Sequence, residues 1–97
     1  KLANKTDIWL HTKSIHGTHV IISTDGKIVP DSTILQAAML AAYYSDARQS
    51  SSVAVDYCIV KNVRKPSGAK PGMVIYDNYN TVYVTPDETI IEKLKTE

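Results

Sequence analysis

Residues 34–48, ILQAAMLAAYYSDAR, constrain this chain more than any other stretch. They are a long run of good helix formers placed directly after Pro30, Asp31 and Ser32, which supply a capping residue, so a helix over 34–48 is expected. Ala37, Ala38, Ala41 and Ala42 pair at i,i+4 on that helix. The resulting smooth stripe lets the helix axis approach a sheet closely, and the flanking segments supply the strands.

Residues 7–12 (DIWLHT) and 18–24 (THVIIST) are short, β-branched or aromatic stretches with a turn over Lys13 to Gly17 between them, and Asp25-Gly26 closes the second. Residues 53–60 (VAVDYCIV) alternate so that Val53, Val55, Tyr57 and Ile59 share one face. Residues 73–77 and 81–85 flank Asn78-Tyr79-Asn80 and read as a β-hairpin with a three-residue loop, and Asp87 opens a short terminal helix, ETIIEKLK. The order ββαβββα gives an α+β fold: a mainly antiparallel sheet with one alanine-rich helix packed on it and a short C-terminal helix.

A chain of 97 residues, 43% of them hydrophobic, suits a single domain spanning 1–97 with one modest core. Cys58 is the only cysteine, which excludes an internal disulfide framework, and it reads as a small buried residue in a strand. No apolar run approaches the roughly 18 to 20 residues that a membrane span needs, so no membrane insertion is expected. The N-terminal KLANKTD contains no signal-peptide core. Without an initiator Met, the chain reads as an excised C-terminal fragment of a larger protein.

The net charge is only +1, yet it is unevenly distributed. Residues 61–72, KNVRKPSGAKPG, hold Lys61, Arg64, Lys65 and Lys70 with no acid among them, while the remaining seven of the eleven cations face ten acids. Pro66 and Pro71 fix φ at two points, and Gly68 and Gly72 permit tight turns, so the cations project from a stiffened backbone that loses little entropy on binding. That suits an extended polyanion such as an RNA backbone. Trp9 and His11 stand at i,i+2 on one strand face with Lys13 continuing it, an aromatic and cationic neighbourhood, although an isolated Trp is more often core.

Other chemistries fit less well. His11, His16 and His19 lie within nine residues, but the set has neither an HExxH helix nor CxxC pairs, so no metal or other cofactor is expected. There is no GxSxG elbow for a nucleophile, and KPSGAKPG is not GxxxxGK[ST], so a nucleotide-binding loop and an enzyme are both disfavoured.

Three separated motifs, DIWLHTKSIHGTHVII, AAMLAAYYSDARQSSSVAVDY and VKNVRKPSGAKPGMVIY, make the chain resemble the NFACT-R domain, the C-terminal RNA-binding module of the NFACT family. Its DxW(F/L)H element falls on Asp7, Trp9 and His11, its PGSH element on residues 16–19, and its VKKPxGAKPG loop on Val63 to Gly72. His16 stands where the family has proline and Thr18 where it has serine, which leaves the turn less rigid. The resemblance implies a parent protein of the RqcH-type ribosome quality-control class, which binds obstructed large ribosomal subunits in the cytoplasm, engages tRNA and supports alanine tailing of stalled chains. Members in Gram-positive cocci have also been called fibronectin/fibrinogen-binding proteins, so a cell-surface adhesin fragment that binds fibronectin or fibrinogen is the alternative. The RNA-contacting set expected on these grounds is Trp9, His11, Lys13, His19, Arg48, Lys61, Arg64, Lys65 and Lys70, with no catalytic residue.

Overall fold

The computed structural model describes residues 4–68 and 74–95. Strands β1 (Ile8–Thr12), β2 (Val20–Ile22), β3 (Val53–Ile59) and β6 (Asn80–Val84) form one antiparallel sheet in the order β2-β1-β3-β6. A separate two-stranded ribbon pairs β4 (Val63–Arg64) with β5 (Ile75–Tyr76). Helix α1 (Asp31–Tyr43) lies across the sheet, and α2 (Glu88–Lys95) packs beside it. The architecture is the α+β sheet-and-helix fold that the sequence predicts.

The alanine stripe sits in the core. Ala38, Ala41 and Ala42 are fully buried against Leu10, Val53, Val55 and Val84, with Ile8, Val20, Ile22, Tyr57 and Val82 packed around them. Strand alternation puts all of these sheet residues on one face. The helix differs from the expected 34–48 at both ends. Pro30 takes an extended conformation as the N-cap, and its carbonyl accepts from the Thr33 and Ile34 amides, so Asp31 and Ser32 are already helical. At the other end the Ser45 hydroxyl donates to the Ala42 carbonyl and accepts from the Ala47 amide, which diverts the backbone into a turn before Arg48.

The expected hairpin across Asn78-Tyr79-Asn80 is not formed. Val82 and Val84 belong to the helix-side core, which takes β6 into the sheet beside β3, whereas Tyr76 lies on the opposite face and draws β5 into the ribbon with β4. Asn78, at φ 48°, makes the left-handed turn between the two destinations. Strand β4 falls in the segment read as a loop, because a single 3-10 turn (Val60–Asn62) separates it from β3.

Candidate nucleic-acid interface

The face of the sheet away from α1 carries Trp9 and His11 from β1, Asp56 and Cys58 from β3 and Thr81 from β6, as the register Trp9↔Cys58, His11↔Asp56 and Asp56↔Thr81 requires. The ribbon folds over this face. The Tyr76 ring meets Trp9 at 4.7 Å between centroids and Tyr79 at 5.1 Å. Trp9 also stacks on His11 (5.8 Å, 5° between planes) and meets His19 edge-on at 5.5 Å. Trp9 is therefore a buried hub, 3% exposed, that positions other rings.

Its indole N–H donates to His19 Nδ1 at 3.1 Å. Because an indole nitrogen can only donate, Nδ1 of His19 is the acceptor, and a neutral ring carries its proton on Nε2. Burial, and secondarily the neighbouring His11, hold the His19 pKa below the ordinary value of 6.5. His11 Nδ1 lies 2.8 Å from the Thr12 carbonyl and Nε2 lies 3.3 Å from that of Gly17, so whichever nitrogen carries the proton has an oxygen to donate to. The Nδ1 lone pair of His19, which would otherwise ligate a metal, is thus engaged by the indole N–H. Among the described residues no group of three His, Cys, Asp or Glu side chains stands together to hold an ion.

The turn between β1 and β2 is anchored to the turn that follows α1. The Asp46 amide donates to the His16 carbonyl at 2.9 Å, and a Cβ on Gly17 would lie 2.9 Å from the Ser45 Cβ, so only glycine permits this approach. Within the turn the Thr12 hydroxyl donates to the Ile15 carbonyl, and Ser14 takes the left-handed φ of 55° that few non-glycine residues adopt. Together with Trp9, His11, His19, Val74 and Tyr76, the turn encloses an open groove of about 720 Å³.

Below the groove wall, Asp56 is completely buried and gathers three segments. It accepts from the Tyr76 hydroxyl at 2.5 Å and the Thr81 hydroxyl at 2.7 Å, and pairs with the Lys13 ammonium at 3.3 Å. Burial first, and then the bond to Asp56, raise the Tyr76 pKa well above the usual phenol range. Lys13 also donates to the Tyr79 hydroxyl at 3.2 Å and sits over that ring at 4.7 Å. The Tyr79 bond, followed by Asp56, holds its pKa up against the opposing effect of desolvation.

Of the expected contact residues, Trp9, His11 and His19 are brought together at the groove, while Lys13 is held outside its lining by Asp56 and the Tyr79 ring. Arg64 lies on the ribbon and Lys65 just after it; Arg64 pairs with Ile75, on the ribbon face opposite Tyr76, and makes a 3.5 Å surface ion pair with Asp77. Lys61 is exposed on the 3-10 turn, its amide donating to the Lys5 carbonyl. Lys70 lies outside the described residues. Arg48 stands apart, stacked on Tyr43 at 3.9 Å and bonded to its hydroxyl, beside a second hollow with Gln49, Pro86 and Glu88. Asp7, the first residue of the DxW element, is buried and accepts from the Thr24 and Asn4 amides, a scaffolding role at the start of β1.

Sequence reading missed Asp56, Tyr76 and Tyr79. An aspartate inside the otherwise apolar 53–60 run was the available signal for the first. Nothing local marks the two tyrosines, because it is the long-range fold of the ribbon that brings them in.

Residues 1–78 match the family model described as the NFACT protein RNA binding domain. The chain is 53% identical over 96 residues to the Rqc2 homolog RqcH of Bacillus subtilis (strain 168), covering 98% of this chain and 16% of that protein. It is 46% identical over 96 residues to the Rqc2 homolog RqcH of Streptococcus pneumoniae serotype 2, covering 98% of this chain and 17% of that one. Its length is thus about a sixth of these relatives. Among solved structures, the C-terminal part of the fibronectin/fibrinogen-binding protein from Streptococcus suis superposes with a TM-score of 0.89 at 45% identity, over 96% of this chain and 37% of the other.

Proposed function

The chain belongs to the NFACT protein RNA-binding domain family, and from that premise we propose that it is the RNA-contacting module of a ribosome quality-control factor acting in the cytoplasm. The observation that carries the reading is the meeting of ribbon and groove. Tyr76 packs on Trp9 while its ribbon partner strand brings Arg64, followed by Lys65, to the same side of the sheet. Rings supply stacking surfaces, and cations on a short ribbon track phosphates. The surface pair of Arg64 with Asp77 contributes little stability and is readily exchanged for a phosphate.

The role needs no catalysis by this domain. Its finer form places the domain in a longer protein that binds obstructed large ribosomal subunits, engages tRNA and supports alanine tailing. The fibronectin or fibrinogen reading draws only on a relative's name, and no residue cluster described above favours it.

The test is a salt titration of tRNA and ribosomal RNA fragment binding by the chain and by its Lys61→Ala, Arg64→Ala, Lys65→Ala, Lys70→Ala fourfold variant. Each lost phosphate contact should flatten the slope of log K against log salt by about 0.7 to 0.9. An unchanged affinity and slope would remove the ribbon and its loop from the interface.

A further inference from the structure

The groove holds more than a surface for tracking phosphates. Its volume of about 720 Å³ lies within the range of roughly 300 to 1,000 Å³ typical of small-ligand sites and is far too small for a helical groove to fit inside. One side is made of rings: His11 and His19, at 4.9 Å between centroids, and Tyr76, all gathered by Trp9. The other side is the backbone of Ser14 to Gly17. The turn over Lys13 and Ser14, with Ser14 left-handed, is closed by the Ile15 amide, and among the described residues the amides of Ser14, His16 and Gly17 donate to no protein acceptor. Successive free amides at a tight turn form a concavity suited to a phosphate. Ring walls suit the face of a base, and His19, exposed and with its Nδ1 already taken by Trp9, has Nε2 left for the edge of one.

These three provisions describe a single nucleotide whose base is out of the stack. A base inside an RNA duplex offers neither face, whereas a bulged, looped or single-stranded base offers both. Resting on the RNA-binding reading above, we propose that the groove seats one unpaired nucleotide of an RNA chain, its base against the His11, His19 and Tyr76 rings and its phosphate on the His16 and Gly17 amides. The ribbon cations then hold the neighbouring backbone, so the domain favours RNA with an exposed nucleotide over a continuous duplex.

The chain has one tryptophan, and it touches all three rings of the groove wall, so its emission reports occupancy. The chain is titrated with a blunt RNA duplex, with the same duplex carrying one bulged nucleotide, and with the matching single strand, each followed by anisotropy and by Trp9 fluorescence. The bulged duplex and the single strand should bind about tenfold tighter than the blunt duplex, as expected for one stacked base, and only they should change Trp9 emission. His19→Gln, which keeps an acceptor for the indole while removing the ring, should shrink that difference.

Equal affinity for blunt and bulged duplex would overturn the groove assignment and leave RNA binding standing. Tighter binding of the bulge with no change in Trp9 emission would overturn it as well. AMP, GMP, CMP and UMP serve as competitors. Displacement of the bulged duplex by any of them at concentrations matching the RNA itself would identify a free-nucleotide pocket and overturn the RNA assignment. If no form of RNA binds, the RNA-binding reading itself falls.

Discussion

On the helix side of the sheet, Leu10, Val53, Val55 and Val84 meet four buried alanines, and no directional bond is needed. On the ribbon side of the same strands, Trp9, Asp56 and Cys58 are equally buried, but the cover is Tyr76, Tyr79 and Lys13, fixed by hydrogen bonds, an ion pair and ring contacts. The first face is held by shape and exclusion of water, which tolerate change that conserves volume. The second depends on partners, and a buried polar group that loses its partner keeps the full cost of desolvation. One sheet thus has a side held by apolar packing and a side held by directional bonds and ring contacts.

The comparison is tested hardest at Asp56. Removing its carboxylate leaves the Tyr76 and Thr81 hydroxyls without their acceptor, and each hydrogen bond to a charged group contributes about 1.5–3 kcal/mol. Asp56→Ala should therefore destabilise the chain by about 3 kcal/mol or more in denaturant melts. Hydrogen exchange should show β4 and β5 losing protection before β1 and β3. Uniform loss of protection would mean that the ribbon is part of the core rather than a cover latched onto it.

On the helix side, Ala38→Leu forces extra methylenes into a position with no exposed surface and should cost roughly 1–3 kcal/mol, without selective opening of the ribbon. If this variant costs more than Asp56→Ala, the contrast between the faces is wrong, and packing dominates both.

Legibility in the sequence follows the same division. The alanine spacing, the alternation of Val53, Val55 and Tyr57 and the terminal helix are local patterns, and the structure reproduces them. The hairpin failed because residues 73–77 and 81–85 look equally strand-like in sequence, and only the separate destinations of Tyr76 and Val82 decide their partners. Likewise, the histidine and lysine positions around the groove were visible, while the rings and the carboxylate that hold them in place come from segments as much as 66 residues away, the separation of Lys13 from Tyr79.

The smallest expected effect concerns protons and separates the faces by pH, since the helix-side core described here is built of apolar residues. His19 accepts the Trp9 N–H on Nδ1 and meets His11 at 4.9 Å, so its neutral form suits the folded chain, and burial together with His11 lowers its pKa from 6.5. Below about pH 6.5 the unfolded chain therefore binds more protons at this site than the folded one, and stability falls with pH. The contribution is fully present above the unfolded pKa and is lost as pH drops through 6.5 toward the lower folded value. Because His19 is exposed, the change should be a modest slope. Urea melts between pH 7.5 and pH 5 measure it, with His19→Gln as the comparison. The parent should lose stability relative to the variant as pH falls, and parallel profiles would mean that the ring does not discriminate between its neutral and charged forms in the groove wall.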